Sequence, residues 1–131
     1  MASIFTRIIS GEIPSYKVAE DENFFAFLDI NPLQAGHTLV VPKKEVDYIF
    51  DLDDETYTGL LKFTKRVAHA IEVNFKCERI GIAVIGLEVP HAHVHLCPLH
   101  GMHDLNFNNP RVKLSEAEFS EIASRIARSF Q

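Results

Sequence analysis

Residues 91–97 read His-Ala-His-Val-His-Leu-Cys, three histidines separated by single apolar residues. In a β-strand successive side chains point to opposite faces. The spacing therefore predicts a strand with His91, His93 and His95 on one face and Ala92, Val94 and Leu96 on the other. At a rise of about 3.3 Å per residue, neighbouring histidines would stand roughly 6 to 7 Å apart. One face then packs on a core and the other lines a site. A neutral imidazole is both nucleophile and proton carrier near neutral pH, so the row points to chemistry. Three readings are open here: exposed histidines without a role, a metal site in which Cys97 shares the histidines' parity, and covalent catalysis by one imidazole attacking phosphorus. Pro98 is expected to end the strand, which makes Cys97 a small buried apolar group.

The rest of the chain places this strand in a fold. Ser3 caps an expected short helix over Ile4 to Ser10, stopped by Gly11 and Pro14. Tyr16 to Glu20 and Phe24 to Leu28 read as a hairpin around the turn residues Asp21-Glu22-Asn23, and His37 to Val41 as a third strand. Tyr57, Leu60, Leu61, Thr64, Val67, Ala68, Ile71 and Phe75 recur at helical spacing behind acidic caps at Asp51 to Asp54, which predicts the longest helix. Arg79 to Ile85 reads as a buried strand, and Gly86 to Pro90 as the turn that pairs it with the histidine strand. Residues 98–113 read as irregular. Ser115 and Glu118 form a capping box before an amphipathic helix through Phe119, Ile122, Ala123, Ile126, Ala127 and Phe130. Strands cluster in hairpins with helices between the clusters. That predicts an α+β fold, an antiparallel sheet with one long helix and a C-terminal helix.

With 131 residues, 47% of them hydrophobic, the chain is expected to form one domain, 1–131, with a proper core. A net charge of −5 without a long Lys or Arg run argues against a nucleic-acid partner, although a nucleotide needs only a pocket. No apolar stretch is long enough for a membrane span and no signal-peptide pattern is evident, so no membrane partner is expected and the cytoplasm is the expected location. Cys77 and Cys97 are too few for a disulfide framework. His37 is expected to hydrogen-bond structurally, His100 and His103 to lie in a surface loop, and His69 to face solvent or a partner.

The pattern His-φ-His-φ-His-φ-φ, with φ apolar, resembles the signature of the histidine triad (HIT) superfamily of nucleotide-binding hydrolases and transferases. Further segments match in order over roughly residues 3 to 98: Ile4-Phe5 with Ile8-Ile9, Gly11-Glu12-Ile13-Pro14, Phe27-Leu28-Asp29-Ile30-Asn31-Pro32, and Gly36-His37-Thr38-Leu39-Val40-Val41-Pro42-Lys43. The resemblance implies a HIT-like fold, a homodimer, and hydrolysis or nucleotidyl transfer at the α-phosphate of a purine nucleotide conjugate. By that resemblance His93 attacks phosphorus and forms a nucleotidyl-histidine, while His95 and His91 hold the phosphate and assist the leaving group. Asp29 would accept hydrogen bonds from the ribose hydroxyls. Phe5, Ile8, Phe27 and Ile30 would hold the base. The residues alone also allow core packing for those four and a turn role for Asp29.

The chain departs from the family pattern in two places. Many members hold a structural zinc with Cys-x-x-Cys, a later His and the first triad His. Here the first three positions are Ser3, Thr6 and Glu45, so no metal and no other cofactor is expected. Before the triad, the usual Asn and Gly-Gln are replaced by Ala83-Val84-Ile85-Gly86-Leu87-Glu88-Val89-Pro90. Glu88, placed among the nucleotide-contacting residues, would act as an acid or repel an anionic leaving group. Two rival functions follow: a nucleotide-binding regulatory module with negligible turnover, and a metal-dependent hydrolase.

Overall fold

The computed structural model describes residues 2–131. The chain runs α1 (Ile4–Ile9), β1 (Lys17–Glu20), β2 (Phe24–Leu28), β3 (Thr38–Pro42), a 3-10 turn (Ile49–Asp51), α2 (Asp54–Glu72), β4 (Arg79–Ala83), β5 (Val94–Leu99) and α3 (Glu116–Ser129). The strands form one antiparallel sheet in the order β1-β2-β3-β5-β4.

Local chemistry explains the ends of these elements. The Asp21 carboxylate accepts the Asn23 and Phe24 amides at 2.8 Å each, which turns the chain between β1 and β2. Asp53 caps α2 by accepting the Thr56 amide at 2.7 Å, and Ser115 with Glu118 forms the expected capping box of α3. Gly36 adopts a φ of +93° just before β3. A Cβ there would lie 2.8 Å from the Phe75 ring, so both backbone and packing demand glycine.

The Phe-Phe-Ala-Phe-Leu run of β2 is buried at every position because the sheet is covered on both faces. Phe24, Ala26 and Leu28 join Val40, Val94 and Leu96 under α2 and α3. Phe25 and Phe27 join Leu39 and Val41 under Phe5 of α1. The α1 face carries the site.

Three expectations need correction. Arg79 to Ile85 is not a buried strand: β4 stops at Ala83 and forms the sheet edge, with Ile82, Val84 and Ile85 exposed. An edge strand lacks a neighbour to cover it. The histidine strand begins only at Val94, so His91 and His93 precede the ladder, although Ala92 and Val94 both enter the core. Pro98 does not end that strand. The Leu99 carbonyl accepts from the Glu78 amide, so the Leu99 polar groups face β4 and those of Pro98 face the other side. On that side β3 has ended, at Thr38 opposite Leu96, and no ladder bond is lost.

Candidate active site

The three histidines form a row on the α1 face. The ring of Phe5 lies edge-on to His91 at 5.8 Å and to His93 at 5.0 Å, and His93 lies 5.0 Å from His95. All three are buried.

Fixed partners determine which nitrogen of each ring carries the proton. His93 Nδ1 faces the His91 carbonyl at 2.8 Å. A carbonyl only accepts, so Nδ1 carries the hydrogen and Nε2 keeps its lone pair. His91 Nε2 faces the Pro42 carbonyl at 2.8 Å and is protonated by the same reasoning. Its Nδ1 then accepts from the Ser3 hydroxyl at 2.8 Å. His37 Nδ1 accepts the Leu33 amide at 3.1 Å, so His37 Nε2 carries hydrogen and donates to His95 Nδ1 at 3.0 Å. His95 is left with a donor at Nε2. One row thus offers a lone pair on its middle ring and an N–H on its last.

Electrostatics keeps His37, His91 and His95 neutral. Burial, with the positive potentials of His37, His93 and Arg111, lowers the His95 pKa to about 3. Burial also holds His37 below its ordinary value, outweighing the Asp29 carboxylate whose Oδ2 lies 3.6 Å away. That contact is therefore a neighbourhood and not an ion pair. His91 is lowered by burial despite the Pro42 carbonyl and Glu45.

The other expected residues are partly assembled. Phe5 and Phe27 meet at 5.5 Å with Ile8 packed against them, so these three gather beside His93. They are at the same time members of the second core cluster. Asp29 is half-buried near His37, and its Oδ1 accepts the Asn31 amide at 2.8 Å, so it also makes the turn. Ile30 is 72% exposed and stands at the rim. Glu88 is exposed and has no hydrogen bond or ion pair among the described residues, whereas its neighbour Val89 packs on the second cluster. A hollow of about 330 Å³ opens beside His93, lined among others by Tyr48, Phe50, Leu61, Ile85 and Gly86, with Asp47 its one charged residue.

Residues that the sequence did not single out complete the site. Phe107 packs edge-on against His95 at 4.8 Å and His37 at 6.3 Å. Arg111 lies over Phe107 and donates to the Asn31 carbonyl at 2.8 Å, and the Val112 amide donates to Pro32. Segment 101–113, expected to be irregular, is a strap over the last histidine. No local pattern marks it. His37 was legible: it shares the parity of Leu39 and Val41, the site face of β3.

Two donor groups bear on metals. Asp29, His37 and His95 bring one ligand atom each within 4.8 Å of one another. His37 Nε2 carries the hydrogen that the Leu33 amide forces on it, so it has no lone pair for a cation. Cys97 is fully buried, and burial pushes its thiol up to about 12, which suits an inert apolar group.

A family model described as HIT domain matches residues 10–102. An uncharacterized HIT-like protein of Borreliella burgdorferi is 36% identical, with 95% of each chain covered. An adenosine 5'-monophosphoramidase of Schizosaccharomyces pombe is 32% identical over 97% of each. A Hit-like protein from Bartonella henselae superposes with a TM-score of 0.84 at 32% identity, covering 98% of this chain and 96% of that one. A Zn-bound histidine triad family protein from Mycobacterium smegmatis gives 0.80 at 28% identity, covering 98% and 93%. The residues here do not fit the structural zinc that the resemblance would imply. Ser3, Thr6, Glu45 and His91 do converge, but their ligand atoms are hydrogen-bonded to one another. Two hydroxyls, a carboxylate and one imidazole also make a poor set for a metal that prefers sulfur and nitrogen.

Proposed function

This chain belongs to the HIT domain family, and from that premise we propose that it is a nucleotide-phosphate hydrolase or nucleotidyl transferase working through His93. The observation that carries this reading is the proton arrangement of the row, a lone pair on His93 Nε2 beside an N–H on His95 Nε2. The Nε2 pair of His93 attacks the α-phosphorus of a purine nucleoside phosphoramidate or dinucleoside polyphosphate. An N–P bond forms, and the bond to the leaving group breaks with its electron pair going to that group. A departing amine carries the proton it took from solvent. Water then attacks phosphorus and releases a proton to solvent, the N–P bond returns its pair to His93, and the nucleoside monophosphate departs. His95 Nε2–H donates to a phosphate oxygen, and neutral donors in a dry site stabilise that charge well. No metal is required for either step.

Asp29 would meet the ribose hydroxyls, and Phe5, Ile8, Phe27 and Ile30 the base. His91 takes a different role from the one first expected. Its ring is fully buried and both nitrogens are engaged, so it positions His93 and does not bind phosphate. Asp47 is the one charged side chain lining the hollow beside His93, which favours an uncharged or cationic leaving group such as an amine. Glu88, exposed at the same turn, favours the same substrates by repelling anions.

The test is turnover of adenosine phosphoramidate and diadenosine polyphosphates by wild type and His93→Ala. The expected result is a loss of at least about 10³-fold in kcat with the fold intact. Equal turnover by both proteins rules the mechanism out. Nucleotide binding without turnover or an adenylyl-histidine adduct would leave the regulatory-module reading standing.

A further inference from the structure

The three residues of the row are held unequally. β5 starts at Val94, so His91 and His93 sit on a connection that no strand ladder fixes. Outside the ladder, among the described residues, the Ala92 amide donates to the Val46 carbonyl at 2.7 Å and the His91 amide to Val89 to tie its backbone. His93 nevertheless depends on that backbone, because the His91 carbonyl selects its tautomer.

A side-chain network supplies the missing support. The His91 ring is a peg between two other segments. Its Nε2–H reaches the carbonyl of Pro42 at the end of β3, and its Nδ1 takes the hydroxyl hydrogen of Ser3 at the start of α1. The Ser3 hydroxyl in turn accepts the Thr6 amide at 3.0 Å. Glu45, in the loop after β3, accepts the Ser3 amide at 2.7 Å and the Thr6 hydroxyl at 2.6 Å through one oxygen. Every hydrogen in this cluster has one partner, and every bond crosses between α1, the β3 exit and the triad connection, or caps α1. Ser3 and His91 are buried, while Glu45 closes the cluster from the solvent side.

We propose that Ser3, Thr6 and Glu45 are positioning residues for His93, a metal-free hydrogen-bonded staple that holds the His91 backbone and ring so that His93 Nε2 is presented to phosphorus. The proposal rests on the nucleotidyl-transfer reading of His93. It gives two hydroxyls and a carboxylate a structural task at the positions where the family resemblance would put zinc ligands. Its function is orientation, and small misplacements of a nucleophile are costly in rate.

Two measurements on Ser3→Ala, Glu45→Ala and Glu45→Gln decide it. Glu45→Gln keeps an oxygen that can accept both bonds, and Glu45→Ala changes only an exposed side chain, so it folds even if Ser3→Ala does not. With adenosine phosphoramidate, Ser3→Ala and Glu45→Ala are expected to lower kcat about ten-fold with KM held within about two-fold, and Glu45→Gln to restore it. In ¹⁵N spectra of the imidazoles, wild type and Glu45→Gln should show His93 as the Nδ1–H tautomer alone, and the alanine variants a mixture. Treating wild type with a chelator should leave both kcat and Tm unchanged. Unchanged kcat with a single His93 tautomer in both alanine variants overturns the proposal, as does stoichiometric zinc whose removal lowers Tm. If wild type fails to turn over the substrate, the function reading fails, and the tautomer spectra still decide the staple.

Discussion

His91, His93 and His95 are chemically identical side chains, and their roles are separated by one fixed partner each. A carbonyl opposite one nitrogen forces a donor there and leaves the other nitrogen as an acceptor. Pro42 does this for His91 and His91 for His93, while Leu33 acts on His95 through His37. The same accounting exposes one defect. Thr64 is buried on α2, and its hydroxyl oxygen is the one buried side-chain polar atom without a hydrogen-bond partner among the described residues. A buried, unpaired hydroxyl costs about 1 to 3 kcal/mol. Thr64→Val keeps the shape and removes that cost. We expect it to raise stability by about 1 kcal/mol in urea unfolding without changing turnover. A destabilised variant would show that the hydroxyl is satisfied.

At the scale of elements, the strap over residues 101–113 does what no strand or helix does here. It lies on the third histidine through Phe107 and is tied to the Asn31-Pro32 turn by Arg111 and Val112. Burial, to which the Phe107 ring contributes, is the first cause of the lowered His95 pKa. Removing the aromatic cover in Phe107→Ala lets water reach the ring, which favours the charged form. The His95 pKa should therefore rise from about 3 toward its ordinary 6.5 in an NMR titration. A titration curve identical to wild type would show that other groups exclude the water. The strap itself needs room where it crosses the sheet edge. A Cβ on Gly81 of β4 would lie 2.6 Å from Leu99 and 2.7 Å from Leu105, so glycine lets the loop close over the strand pair.

For the whole molecule, three buried neutral histidines couple folding to pH. His37, His91 and His95 all have folded-state pKa values below the ordinary 6.5, so the unfolded chain binds more protons than the folded one below that pH. Their contribution is fully present above pH 6.5 and is lost as pH falls, by about 1.4 kcal/mol per pH unit for each such group within its window. Urea midpoints should drop between pH 7.5 and pH 5, and a flat profile over that range would contradict the neutral assignments. The second molecular feature is the uncovered edge. Ile82 on β4 is 55% exposed, and Val84 and Ile85 after it are exposed as well. If the expected homodimer forms, exposed apolar side chains at an unpaired strand edge are where a second copy would dock. Ile82→Glu is expected to convert a sedimenting dimer to a monomer of unchanged helicity. A wild-type monomer in the same experiment would remove the homodimer reading.

The sequence by itself determined the helix and strand inventory, because hydrophobic period and capping chemistry are local. The Asp53 and Ser115 caps, the β2 run and the α2 stripe all lie where the pattern puts them. It also determined the faces of the row, since alternation carries Ala92 and Val94 into the core even before the ladder begins. It misjudged β4 and Pro98, because burial and ladder bonding depend on which strands lie alongside, and neighbours are not written in a strand's own residues. Only the tertiary structure decided the chemistry within the row. The partners that set the His91 and His95 tautomers come from residues 3, 33, 37 and 42, far from the triad in sequence, the His91 carbonyl sets that of His93, and a proton's position on an imidazole is fixed by the group that faces it.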